Sequence, residues 1–310
     1  FYIYNRNFYT QRTLIEYITS LKTIKYALYI LMATHSIPSN IVETIDETNL
    51  LKVKSVVSSD SQKQYKIISY KKELLTAETI PTHGKYRSVI INDAGAVVAF
   101  APPKSVSADI FLDSHPTRSE NIVAEEFVEG TMINVFYNDG QWEFATKQTV
   151  GANARFYTNT TDTFKSMFID AMQHTGLYSI NNLDKKNSYS YVLQHPKNRI
   201  VVAFDNPALY LVAVYKITFV EETKTFDITE VDFCGSQHVK IPAKYDDWET
   251  YSDLTQKYAS PTTPYQCLGV MIRDRLTGER CKMRNPTYEH VRKLRGNQPK
   301  LQYHYLSLRK

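Results

Sequence analysis

From residue 65 onward the chain is cut into short β-branched and aromatic runs by turn chemistry, and this texture constrains the fold more than any other feature. Asn92-Asp93-Ala94-Gly95 separates the runs 86–91 and 96–100, and Asn138-Asp139-Gly140 separates 131–137 and 141–146. Asn, Asp and Gly tolerate the positive φ that tight hairpins demand, so each break predicts an antiparallel pair. Runs 65–69, 189–193, 199–204, 209–219 and 225–231 read as further strands, and 269–272 with 280–284 as a late hairpin around Thr277-Gly278. Helices are few. Phe164, Met167, Phe168, Ala171 and Met172 share one helical face within 162–175, with Thr161 or Asp162 to cap it and Gly176 to end it. Leu14, Ile15, Ile18 and Leu21 give residues 11–36 a helical pattern that Pro38 breaks, and 40–60 reads as a polar connector. Asn285-Pro286 opens a short helix that Gly296 closes. Many hairpins with few helices predict an α+β fold of mostly antiparallel sheets.

The 310 residues, 43% apolar and 22% charged, suffice for an ordinary buried core without staples. Cys234, Cys267 and Cys281 form neither a paired framework nor a CxxC, which fits a reducing compartment. The longest apolar run, residues 26–33, falls far short of the roughly 18 residues that span a bilayer, so no membrane association is expected. The chain opens on Phe1 and reads as part of a longer protein.

Charge is unevenly spread. The net charge is +5, yet residues 280–310 carry +8 and the remainder −3. A patch of that density favours phosphate-bearing partners, RNA or DNA, with Arg292, Lys293, Arg295 and Lys300 as the candidate contacts. Tyr288, Tyr303, His304 and Tyr305 interleave with them; such rings stack on bases or pack on the protein body. The plainer reading is a solvated terminal helix.

Common catalytic templates are absent. There is no GxxxxGK(S/T), no GxGxxG after a strand, no HExxH and no GxSxG. The eight histidines are scattered, without metal-ligand spacing, and no metal site is expected.

One ordered series of segments is informative: YKIISYKK (65–72), YRSVI (86–90), FAPPK (100–104), EFVEGTMINVFY (126–137), WEFATKQ (142–148), YVLQHPKNRIVV (191–202), LGVMIRD (268–274) and CKMR (281–284). It resembles the ATP-dependent RNA ligases of the T-even phage tRNA-repair type, within the covalent nucleotidyltransferase superfamily. EFVEGTMIN is similar to ligase-like proteins of large DNA viruses. The resemblance implies a ligase adenylation-domain fold over 61–285, with an N-terminal helical arm and connector (1–60) and a basic C-terminal segment (286–310).

The family's chemistry needs a K-x-D-G lysine that attacks the α-phosphate of ATP, carboxylates that hold ribose and metal, and cations that neutralise phosphate. By the resemblance the lysine position is Phe127, and the third- and fourth-motif carboxylates fall on Val192 and Leu268. Glu129-Gly130 keep the acid and the glycine of the first motif. Arg87, Lys104, Lys147, Lys282 and Arg284 keep the basic set. The implied protein is a catalytically inactive, ligase-like viral protein with a phosphate-binding pocket, taking ATP or another nucleotide without turnover, with Glu129 as the internal partner of the cations. Nucleic-acid binding or virion structure would be its work, in the virion or the host cytoplasm, with viral structural proteins as partners. Two other readings stand beside it: an active ligase with a displaced nucleophile, and a capsid or assembly protein. The cations also fit plain hairpin edges in solvent, and Phe127, Val192 and Leu268 a filled cleft.

Overall fold

The computed structural model describes residues 33–45, 49–156, 161–177, 179–295, 305, 306 and 309. Its strands are β1 (Thr34–Pro38), β2 (Leu51–Val57), β3 (Gln64–Tyr70), β4 (Val89–Asn92), β5 (Val97–Ala99), β6 (Ile122–Glu126), β7 (Thr131–Asn138), β8 (Gln141–Ala145), β9 (Asn187–Gln194), β10 (Ala208–Val220), β11 (Thr225–Glu230), β12 (Lys244–Tyr245), β13 (Gly269–Asp274) and β14 (Arg280–Arg284). The helices are α1 (Ile41–Thr44), α2 (Ile80–His83), α3 (Ala108–Ser114), α4 (Phe164–Thr175), α5 (Tyr251–Tyr258) and α6 (Pro286–Arg295). The fold is α+β, and its strands form antiparallel sheets in the orders β1-β11-β10-β9-β7-β8, β2-β3-β4-β5 and β12-β6-β13-β14.

Each sheet buries one face against a different neighbour. Met167, Phe168, Ala171 and Met172 of α4 pack on Ile133, Val135, Tyr191 and Leu193 of the six-stranded sheet. At the other end of that sheet, Ala213, Tyr215, Phe226 and Ile228 meet Ile68, Tyr70, Val89 and Ile91 of the β2–β5 sheet. The third sheet packs Val270, Ile272, Cys281 and Met283 against Phe111 of α3 and Leu254 of α5. At ~25 cal/mol per Å² of apolar surface, these interfaces supply the main folding drive.

Helix α4 follows its sequence signals with one adjustment. Thr163, not Thr161 or Asp162, is the cap: its Oγ1 accepts from Ser166 N at 3.1 Å, and Ser166 Oγ accepts from Thr163 N at 2.9 Å. This reciprocal box satisfies amides that the first turn leaves orphaned. Gly176 ends the helix in the left-handed region, φ 78°.

Two stretches expected to be helix and connector are strands. Residues 34–38 form β1 and pair with β11, and residues 51–57 form β2 and pair with β3. Edge pairing outweighs the weak helical periodicity there. The rest of the expected arm, residues 1–32, lies outside the described residues. Run 199–204 is not a strand either; a 3-10 turn, Pro196–Asn198, leads into an irregular segment whose amides turn to a side chain. Among the described residues no helix is long and apolar enough to cross a membrane. The three cysteines are free thiols.

Candidate phosphate-binding pocket

The β6–β7 loop, residues 127–130, crosses the seam between the sheets. Around it lies a pocket of about 290 Å³ whose lining includes Arg87, Phe127, Glu129, Val192, Leu268 and Lys282. Glycine makes the crossing possible. At Gly130, φ is 148°, and a Cβ would collide with Leu193 O and lie 2.7 Å from Val192 Cγ1. At Gly269, φ is 121°, and a Cβ would collide with Met283 O. Both positions therefore need glycine for conformation and for space.

Strand alternation supplies the basic wall. Along β14, Cys281 and Met283 turn into the core, so Arg280, Lys282 and Arg284 point the other way. All three line the pocket. Arg87 joins them from the residue pair before β4. Sequence reasoning missed Arg280, although the R-C-K-M-R alternation displays it. Its Nε is buried with no hydrogen-bond partner among the described residues.

The Phe127 ring serves these cations as a platform. Lys282 Nζ sits 4.6 Å from its centroid and Arg284 Cζ 5.6 Å, inside the range of cation–π attraction. Burial, then Arg87, Arg280, Arg284 and Lys104, push the Lys282 ammonium down to about 6. Burial also lowers Arg87 from its ordinary value. Lys104 and Lys147 do not line the cavity. Lys104 Nζ donates to Ser105 O at 2.6 Å, and Lys147 Nζ lies 4.9 Å over the Tyr70 ring. Both are nevertheless lowered by burial and then by Arg87; Lys72 presses on each in turn, and Lys52 on Lys147. Lys52, Lys72, Lys104 and Lys147 thus form a basic group in the neighbourhood of Arg87.

The carboxylates of the pocket are otherwise engaged. Glu129 Oε1 accepts from Val201 N at 2.6 Å and Val202 N at 3.1 Å. Burial raises its carboxyl above the usual range, against those amides, the Tyr288 hydroxyl and Arg295. Glu129 therefore replaces a neighbouring strand for residues 201–202, and does not serve as the expected counter-ion of the basic set. Glu125 pairs with Arg273 Nε at 3.5 Å, and Arg273 also binds Glu230. Glu126 Oε2 accepts from Ala243 N at 3.2 Å. The metal implied by the family resemblance does not fit this donor set: Val192 and Leu268, to which the resemblance assigns the carboxylate positions, are buried apolar side chains. Among the described residues no cluster of three His, Cys, Asp or Glu could hold a metal ion.

Phe127 and Leu268 pack with Val201 and Tyr288 in a small apolar cluster, so the cleft is partly filled, yet the cavity beside it stays open. Helix α6 lies along the rim. Arg292 lines the pocket, and Glu289 binds both Arg284 and Arg292. Lys293 is exposed, whereas Arg295 turns inward to Ile200 O and the Phe156 ring. Lys300 lies outside the described residues. The HPKN segment is structural: His195 Nε2 meets Asp170 Oδ2 at 2.8 Å, and Asn198 Nδ2 donates to Thr131 Oγ1 at 2.8 Å. A larger groove, about 590 Å³, lies beside β2 and β3, but it mixes Lys66 with Glu43 and Asp93 and concentrates no charge.

No family model matches the chain. Among curated proteins it is similar to the immediate-early protein ICP-46 of frog virus 3 (isolate Goorha), 22% identical over 214 residues, 62% of this chain and 52% of that protein. The chain thus spans about half the length of this curated relative. Among solved structures, an Aquifex aeolicus protein assigned as an ATP-dependent DNA ligase gives a TM-score of 0.45 at 11% identity, over 82% of this chain and 63% of that one. A Naegleria gruberi RNA ligase mutant with ATP and Mn gives 0.41 at 8% identity, over 84% of each chain. Likenesses of this depth carry no function to this chain.

Proposed function

We propose that the chain is a ligase-like viral protein, built on a nucleotidyltransferase scaffold, that binds phosphate without joining ends. The frog virus 3 relative supports the viral setting. The observation that carries the reading is the Phe127 ring, which holds Lys282 and Arg284 on its face; by the sequence resemblance this is the position of the family's attacking amine. Phenylalanine cannot form a phosphoramidate, and with Val192 and Leu268 apolar the carboxylate half of the chemistry is missing as well. Phosphate binding needs neither. Arg87, Arg280, Lys282 and Arg284 supply charge-assisted donors for a nucleotide such as ATP, or for the end of an RNA or DNA strand. Lys52, Lys72, Lys104 and Lys147 would continue the contact along a strand backbone, with Arg292 and Lys293 at the rim.

Filter binding with single-stranded RNA and DNA tests the reading. Salt-sensitive binding that weakens on substituting Arg87 and Arg280 together by Gln is expected; no binding at low salt removes it.

One observation favours a second reading. Lys282 holds its amine beside the Phe127 ring with a lowered proton affinity, as a displaced nucleophile would. Attack on the α-phosphate would form an N–P bond, expel pyrophosphate and release the amine proton to solvent. Covalent labelling that disappears in Lys282→Arg would establish it.

A further inference from the structure

We propose that the pocket takes a phosphate chain in its metal-free form, with protein cations in the place a divalent ion would occupy. The inference rests on the phosphate-binding reading and adds the form of the ligand. Four cations line the pocket wall, Arg87, Arg280, Lys282 and Arg284, with Arg292 at the rim; Glu289 pairs with Arg284 and Arg292. The three carboxylates of the lining have other duties. Glu125 is held by Arg273, Glu129 by the amides of Val201 and Val202, and Glu126 by the amide of Ala243.

A divalent ion at the phosphates needs oxygen ligands, commonly one or two carboxylates beside the phosphate oxygens. It would meet a wall of like charge here. An uncomplexed phosphate chain meets the opposite situation. It offers its full charge and all its non-bridging oxygens to guanidinium and ammonium donors. Arg280 Nε, buried without a partner, is one such donor. The Lys282 amine, crowded by four cations, is a second that an anion would bring to full charge. A divalent ion on the ligand cancels charge on which these residues draw and occupies oxygens they would bind. Metal therefore competes with this protein for the ligand.

The test is isothermal titration calorimetry on the full chain with ATP, tripolyphosphate and AMP, each with EDTA or with excess magnesium at matched ionic strength. Expected are binding of ATP and tripolyphosphate in EDTA, loss of at least about tenfold in affinity with magnesium, and weak binding of AMP. Arg280→Gln should weaken ATP binding in EDTA about tenfold, with an unchanged circular dichroism spectrum. Affinity that requires magnesium overturns the inference and leaves phosphate binding standing, above all if Glu126→Gln abolishes it. AMP binding as tightly as tripolyphosphate overturns it as well, since the chain of phosphates would then not be what is recognised. No binding of any of the three in either medium overturns this inference and the phosphate-pocket reading together.

Discussion

Lys282 joins the stability of the pocket to its use. In the folded chain burial and the neighbouring cations push its ammonium down to about 6, whereas an unfolded lysine holds its proton to about pH 10.4. Between those limits the unfolded state binds the extra proton, so stability rises with pH across the window. The groups that face it are Arg87 before β4, Lys104 after β5, Arg280 and Arg284 on its own strand, the carboxylates of Glu125, Glu126 and Glu129, and Tyr288 and Arg292 of α6. Replacing a costly buried cation by an isosteric apolar side chain commonly stabilises. Lys282→Met should therefore be more stable than the parent by about 1 kcal/mol at pH 7, with the gap narrowing toward pH 9.5; thermal melts at the two pH values check it. The same variant should bind ATP more weakly. ATP binding by the parent should take up protons above pH 6, visible as a buffer-dependent enthalpy, and tighten as the pH falls toward 6.

The elements of the site show what the sequence made legible and what it hid. Hairpins β7–β8 and β13–β14 and helix α4 announced themselves, because turn chemistry and period-2 or period-3.6 patterning act locally. The basic residues Arg87, Lys282 and Arg284 line one pocket. Arg280 was equally visible in the alternation of β14 but stands just outside the CKMR segment (281–284). Residues 199–204 misled because Ile200, Val201 and Val202 carry strand propensity, while their amides find Glu129 instead of a neighbouring strand. Such a choice is made by a loop some 70 residues earlier in the chain and leaves no local trace. Removing that acceptor tests its role: Glu129→Ala should cost about 3 kcal/mol by stranding two amides, read by urea denaturation, and Glu129→Gln should cost less because it keeps one acceptor oxygen. Gly130→Ala and Gly269→Ala should each cost on the order of 2–3 kcal/mol, through strained φ and backbone collision.

In the whole molecule, the pocket lies where the outward face of β14, the β6–β7 loop, residues of β7, β9, β10 and β13, and Arg87 before β4 come together. The opposite faces are committed to the cores that hold the fold. The outward face of β14 is free to carry charge, and that charge is positive. If the basic group near Arg87 guides a single strand, replacing Lys52, Lys72 and Lys147 together by Gln should lower the slope of log affinity against log salt by about 2, and affect all sequences alike. Because all three side chains are exposed, and Lys147 meets the Tyr70 ring only from the solvent side, the fold should tolerate the replacement.

The joint absence of an amine at position 127 and of carboxylates at positions 192 and 268 governs the whole account. Incubating the chain with α-phosphate-labelled ATP and magnesium or manganese, denaturing it and looking for label on the protein puts that to trial. The prediction is an unlabelled chain, including in Phe127→Lys, since Val192 and Leu268 still leave the metal without carboxylates. Acid-labile label on the parent chain would contradict it and show that this pocket carries out nucleotidyl transfer.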